Sequence, residues 1–392
     1  MAGIKTNYLN YLKSIKQSLI DAGYTSFDAE RMSNEYLVYD YILNQESLDE
    51  DIKKHVKEES VEEDKDYIAK LDEDIINFMI NCSKEATASL TDEILHGSKY
   101  SYTKKINPSK TSELATEALY AYSYEHFEKL NELFEEESVT FTDKESSYDP
   151  NSNTIELHAA TDIEAPFSLV HEFIHSLTYE NVAEEISIDD TDNILGLFFE
   201  KDIKRSSMME VPSYAFEHYF TGYLLKNHKR YAEDVKEYNR MRIRKSLDAA
   251  LIFKVYKRLY NDSLNGVKID ARKINEICND MVALGLNPVH VAKIMDVIIK
   301  IFKDIDLDAA LGASPYESLY THAVSDVLGY YLFYKTVENE DKSYLDTITS
   351  NLFNMSKEDV FEYLGLVKNA KINKDAIKEM QKVYINNIKK FW

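Results

Sequence analysis

A mostly α-helical fold with one small β-hairpin or sheet is predicted by three observations. Glycine and proline are scarce, 10 and 6 in 392 residues, which disfavours a turn-rich all-β chain. Long stretches repeat apolar residues at intervals of three and four, the period of a helix with one buried face. Only residues 138–160 alternate apolar and polar side chains as a strand does.

Taken in chain order, Ile4, Tyr8, Leu12, Ile15, Leu19 and Ile20 form a helical stripe, and "FDAERMSNEYLVYDYIL" continues it. Residues 45–75 are an acidic run, read as a solvated helix face rather than a partner-binding tail. Residues 110–136 predict another long helix. The segments 138–143 (SVTFTD) and 153–160 (NTIELHAA) flank the turn-rich SSYDPNSN, which predicts a hairpin of those two strands. The hairpin leads directly into "LVHEFIHSL", residues 169–177. After residue 190 the pattern is helical almost to Trp392, broken near Gly266, Pro288 and Pro315. There is no repeat, Pro-rich linker or low-complexity block. The expected organisation is an N-terminal helical region, 1–137, and a second region, 138–392, carrying the chemistry, in one compact unit with a cleft between them.

Composition narrows the partners. The net charge of −23 repels phosphate backbones, so nucleic acid is not an expected partner. Cys82 and Cys278 are the only cysteines; two distant thiols make no disulfide framework and fit a reducing compartment. The first residues are amphipathic, without an export signal's unbroken apolar core. No apolar run approaches the roughly 18 residues of a membrane span. The expectation is a cytoplasmic protein, with no membrane or nucleic-acid partner and its oligomeric state open.

The chemistry resides in 169–177. His171 and His175 are four apart, so they share a helix face, with Glu172 beside the first. In metallopeptidases, His-Glu-x-x-His at this spacing directs two imidazole nitrogens at one zinc ion, while the glutamate acts as base. Neutral imidazole leaves the metal Lewis acidic, and the carboxylate must lie beside the metal rather than on it. Three polar groups in an otherwise apolar segment (Leu169, Val170, Phe173, Ile174) argue against coincidence. A catalytic zinc needs a third protein ligand and one open position. Glu200, Ser206, Glu210, Ser213, Glu217 and His218 all qualify by position, and spacing does not separate Glu200 from Glu210.

"SLVHEFIHSL", "MEVPSYAFEHY" and "YTHAVSDVLGYYLFYK" together resemble the thimet oligopeptidase and oligoendopeptidase F family of zinc peptidases. The resemblance covers about residues 150–340 and is weak over the first 140. It implies a helical zincin-type fold and one zinc per chain, held by His171, His175 and Glu210. Glu210 is chosen over Glu200 because Glu-x-Pro-Ser-x-x-x-Glu matches Glu210, Pro212, Ser213 and Glu217. It also implies that His322 and the tyrosines nine and twelve residues later, Tyr331 and Tyr334, face the substrate. Three features depart from the family. The gap between His175 and Glu210 is longer, placing an insertion in ENVAEEISIDDTDN; Ile174 replaces a common glycine; and the chain before His171 is short.

The implied activity is hydrolysis of internal bonds in unstructured peptides. Glu172 is the base, Tyr331, Tyr334 or His322 the donor to the developing oxyanion, and Glu217 the carboxylate that orients a zinc-bound histidine. Strand 153–160 is expected to pair with an extended substrate, His158 being a surface residue. Gly329, before the tyrosines, is read as a bend or a point of close backbone approach. Two rivals remain. One is a metallo-carboxypeptidase of related helical fold, which needs a cationic pocket; the other is a non-catalytic peptide-binding relic.

Overall fold

The computed structural model describes residues 17, 66–87, 101–150, 152–185, 208–264, 267, 271–304, 315–338, 340–352 and 355–391. The stripe at 4–22 except Gln17, the acidic run before residue 66, Glu200, Ser206, Gly266 and the 186–193 part of the expected insertion lie outside them. The fold is mostly α. In chain order come α1 (Asp66–Thr87), α2 (Pro108–Tyr122), α3 (Tyr124–Glu135), β1 (Val139–Thr142), β2 (Ser147–Asp149) and β3 (Thr154–His158). Then follow α4 (Glu164–Glu185), α5 (Glu210–Asn227), α6 (Ala232–Leu264), α7 (Ala271–Ala283), α8 (Pro288–Asp304) and α9 (Pro315–Glu338). The chain ends in α10 (Ser343–Asn351), α11 (Lys357–Tyr363) and α12 (Lys374–Phe391).

Pro288 and Pro315 interrupt the helical pattern by opening α8 and α9. Proline's fixed φ suits the first helical position, where its missing N–H has no partner to lose. Asn107 caps α2, accepting the Lys110 amide at 2.8 Å ahead of Pro108.

The chain forms two compact units. The first comprises Met1–Gly97, Gly196–Ile203 and Leu247–Ala323. Its core contains Leu71, Ile75 and Met79 of α1, Leu251, Tyr256 and Leu259 of α6, and Ile277 of α7. Both cysteines are free thiols; burial pushes the Cys82 thiol up to about 12. The second comprises Ser98–Leu195, Lys204–Ser246 and Val324–Trp392. It is built on α4 and α5, which pack together, with α2, α10, β2 and β3 also against α4.

The expected two-strand hairpin is a three-stranded sheet of order β1-β3-β2. β1 runs parallel to β3, Val139 opposite Ile155 and Phe141 opposite Leu157; β2 is the antiparallel neighbour, Tyr148 opposite Ile155. The turn-rich linker itself contains β2. A short closure between β2 and β3, with Asn153 in the left-handed region at φ 50°, costs less entropy than one long loop from β1 to β3. β3 is therefore central and has no open edge, which overturns the expected pairing of 153–160 with a substrate. The outer strands are β1 and β2.

Candidate metal centre

The α4 helix starts where Asp162 Oδ1 accepts the Glu164 amide at 3.0 Å, with Pro166 in the first turn. Phe167, Leu169, Val170, Phe173 and Ile174 are all buried, so the helix is apolar on most faces and lies in the core. α5 is similar, with Val211, Ala215, Phe216 and Phe220 buried. Against this apolar background α4 presents His171, Glu172 and His175, and α5 presents Glu210 and Glu217. The two glutamates are seven residues apart and share one face of α5.

The His171 ring spans those two turns. Its Nε2 lies 2.9 Å from Glu210 Oε2, and its Nδ1 lies 2.7 Å from Glu217 Oε1. His175 Nε2 lies 3.2 Å from His171 Nε2 and 3.3 Å from Glu210 Oε1. Ser213 Oγ donates to the His171 carbonyl at 3.2 Å, tying the two helices beside the ring.

The two imidazole nitrogens thus stand 3.2 Å apart, and each faces one oxygen of the Glu210 carboxylate, at 2.9 and 3.3 Å. Ligands held tetrahedrally at zinc distances of 2.0–2.1 Å stand about 3.3 Å apart. The protonation pattern points the same way. The Nδ1–H of His171 is assigned by its acceptor, Glu217, so in a neutral ring Nε2 is a lone pair. That lone pair faces a carboxylate oxygen, Glu210 Oε2, which is buried and has no well-directed hydrogen bond. Acceptors facing one another repel until a proton or a cation lies between them. Burial lowers the His171 imidazole, but Glu210 and Glu217 raise it well above its ordinary value. Burial raises the Glu210 carboxyl, but His175 and His171 hold it well below its own. The centre draws positive charge, and two nitrogens with one carboxylate oxygen fit zinc.

Glu172 is almost buried, at 9 % exposure. It and Glu210 act on one phenol, Tyr179, two turns after Glu172 on α4. Burial first, then Glu210, Tyr148 and Glu172 push that phenol upward. Tyr179 packs against Tyr148 of β2, ring centroids 5.6 Å apart.

The other expected residues stand on α9. His322 is exposed and belongs to the first unit. Tyr331 is buried, and its hydroxyl donates to Glu379 Oε2 at 2.6 Å. Tyr334 lies nearly parallel to Tyr331, centroids 6.4 Å apart. Tyr330 packs on His218 and Tyr384. Gly329 is a point of close approach. A Cβ there would lie 2.7 Å from Tyr214 Cβ and 2.8 Å from the Val211 carbonyl oxygen.

Sequence reasoning missed the charges behind Glu217. Its Oε2 accepts from Tyr238 at 3.2 Å and from Arg242 Nη1 at 3.3 Å. Arg242 also faces Asp326, and Tyr384 donates to Asp326 at 2.5 Å. An Arg among Arg240, Arg244 and Lys245 on a polar helix reads as solvated. The available signal was Asp326, an acid flanked on its helix by Ala323, Val324, Val327 and Leu328.

No protein-family model matches the chain, and no curated protein matches it in sequence. Among solved structures, the chain is similar to a candidate peptidase from Chlamydophila abortus, with a TM-score of 0.57 and 12% identity. The match covers 94% of this chain, which spans 64% of that protein's length. PZ peptidase A, solved with an inhibitor, matches with a TM-score of 0.49 and 11% identity over 87% of this chain and 62% of that one. At 12% identity the likeness to the Chlamydophila abortus protein is one of architecture, a mostly helical, peptidase-like fold.

Proposed function

We propose that the protein is a zinc-dependent metalloendopeptidase that hydrolyses internal bonds of unstructured peptides. One observation carries this reading: the Nε2 atoms of His171 and His175 and the Glu210 carboxylate converge within hydrogen-bond distances, beside Glu172 on the same helix. His171, His175 and Glu210 would hold the metal. When bound, zinc supplies a Lewis acid that lowers the pKa of water toward neutrality and polarises a carbonyl.

The chain's own residues do the rest. Glu172 takes a proton from the attacking water and delivers it to the leaving amine. Glu217 accepts from His171 Nδ1 and fixes the tautomer that leaves Nε2 free for a metal. Tyr334, Tyr331 or His322 of α9 donates to the carbonyl oxygen as it gains charge. Tyr331 reaches a substrate only by leaving Glu379.

Metal analysis tests the first half; about one zinc per chain is expected, and less than about a tenth of that after supplementation sinks the reading. Internally quenched peptides, with and without a chelator, test the second half. Internal cleavage abolished by the chelator supports the proposal. Release of single C-terminal residues would point to a carboxypeptidase, and no turnover by the zinc-loaded protein to a peptide-binding relic.

A further inference from the structure

We infer that Arg242 and Asp326 are positioning residues of the metal centre, acting through Glu217, and that Tyr384 connects α12 to them. The inference rests on the zinc reading above. Its geometry is a chain of contacts inside one unit. Glu217 Oε1 accepts from His171 Nδ1 at 2.7 Å, while Oε2 accepts from the Tyr238 hydroxyl at 3.2 Å and from Arg242 Nη1 at 3.3 Å. With Oε2 anchored, Oε1 is held toward His171. Arg242 Nη2 lies 3.4 Å from Asp326 Oδ1 and 3.2 Å from Asn239 Oδ1. His218 Nε2 stands 3.2 Å from Asp326 Oδ1. The remaining oxygen of Asp326 accepts from Tyr384 at 2.5 Å.

Stability alone does not account for these groups. Glu217, Arg242 and Asp326 are 3, 6 and 0 % exposed. Each buried ion gives up its hydration, and apolar residues of equal volume commonly serve a core as well or better. What apolar residues lack is direction. The planar guanidinium holds one carboxylate on each side and so orients Glu217. Asp326 offsets the guanidinium's charge, so Glu217 remains a strong acceptor for His171. His218, whose imidazole burial and then Arg242 hold down at about 4, adds no charge near neutral pH.

The test measures zinc affinity of the full chain by chelator competition, with Co²⁺ absorption as a spectroscopic report on ligand geometry. The melting temperature of each metal-free variant shows whether it is folded. R242A is expected to weaken zinc 10- to 100-fold, the usual effect of losing a group that orients a ligand. R242K should recover part of that, because an ammonium is a single point charge without the fork. Y384F keeps the ring and loses only the donor to Asp326. It should weaken zinc about 3- to 10-fold and alter the Co²⁺ spectrum, although it touches no ligand. If R242A does not fold, R242K and Y384F decide. Wild-type zinc affinity and Co²⁺ spectrum in both folded variants would overturn the inference and leave the zinc reading intact. Failure of the wild type to bind zinc would overturn that reading and this inference with it.

Discussion

The tautomer of His171 shows how single residues shape this site. Its Nδ1 is committed to Glu217 at 2.7 Å, so Nε2 is the only nitrogen it can offer a metal. The same reasoning separates the roles of the glutamates. Glu172→Gln keeps the two nitrogens and Glu210, so zinc content should stay near one per chain. Its kcat should fall at least about 10²-fold, because an amide accepts no proton; retention of more than a tenth of wild-type kcat would assign the base elsewhere. Glu210→Ala should lose zinc and activity together. Zinc retained in Glu210→Ala but lost in Glu200→Ala would transfer the third ligand to Glu200. On α9, Tyr334→Phe should lower kcat about 10²-fold with little change in KM, the pattern of a donor used mainly in the transition state. Tyr331→Phe removes a bond to Glu379, and its expected cost is about 1–3 kcal/mol of stability, read by chemical denaturation. If neither substitution moves kcat, the carbonyl is polarised by His322 or zinc alone.

Between elements, the decisive contact is that of α9 with α5. Gly329 has a helical neighbour so close that an added Cβ would meet Tyr214 Cβ at 2.7 Å and the Val211 oxygen at 2.8 Å. Backbone and Cβ atoms cannot rotate away, so Gly329→Ala must push the helices apart. A loss of about 1–3 kcal/mol is expected, although alanine ordinarily favours a helix. Because α5 carries Glu210 and Glu217, zinc affinity should fall with it. Unchanged denaturation and zinc competition curves would show that the helices yield freely. Such contacts explain which elements could be read in advance. Helix existence follows from local period, and Pro288 and Pro315 mark boundaries because φ is a property of the residue. Whether β1 meets β3 parallel or antiparallel depends on what lies in the linker, and three residues, Ser147–Asp149, reversed that expectation.

For the molecule as a whole, buried neutral histidines predict acid lability. Burial lowers His126 from 6.5 to about 4. Between those values the unfolded chain binds a proton that the folded ring refuses. Stability is therefore intact above pH 6.5 and lost as pH falls toward 4, by up to about 3 kcal/mol for this one group. Asp326 adds a second limb. Burial raises its carboxyl, but Arg242 and His218 bring it down to about 2, so its contribution is lost only below about pH 4. His126 packs against Tyr122 and Phe216, with ring centroids 5.1 and 5.5 Å away. Phenylalanine is therefore the right probe. His126→Phe should gain on the wild type by up to about 3 kcal/mol between pH 6.5 and 4, whatever the global charge of −23 does to both. A pH-independent difference in denaturation free energy would show that this ring titrates normally. Among the described residues no helix is long and apolar enough to cross a membrane.

The sequence by itself determined the helical character, the site of the small sheet and the pairing of His171 with His175. Each depends on local spacing, and a helix places residues i and i+4 together whatever packs around it. Among many acidic residues, the choice of Glu210 over Glu200 came from the family resemblance through its Glu-x-Pro-Ser pattern, and the structure brings Glu210 beside His171 and His175. Only the tertiary structure decided the order of the strands, the partner of Tyr331 and the buried set Glu217, Arg242, Asp326 and Tyr384. The contacts of that buried set join residues far apart in the chain: Glu217 to Arg242 by 25 positions, Asp326 to Tyr384 by 58 and Arg242 to Asp326 by 326 − 242 = 84. A charged side chain on a helix looks alike in sequence whether it meets water or another charge. What separates the two cases is burial, which the packing of α4, α5, α6, α9 and α12 creates.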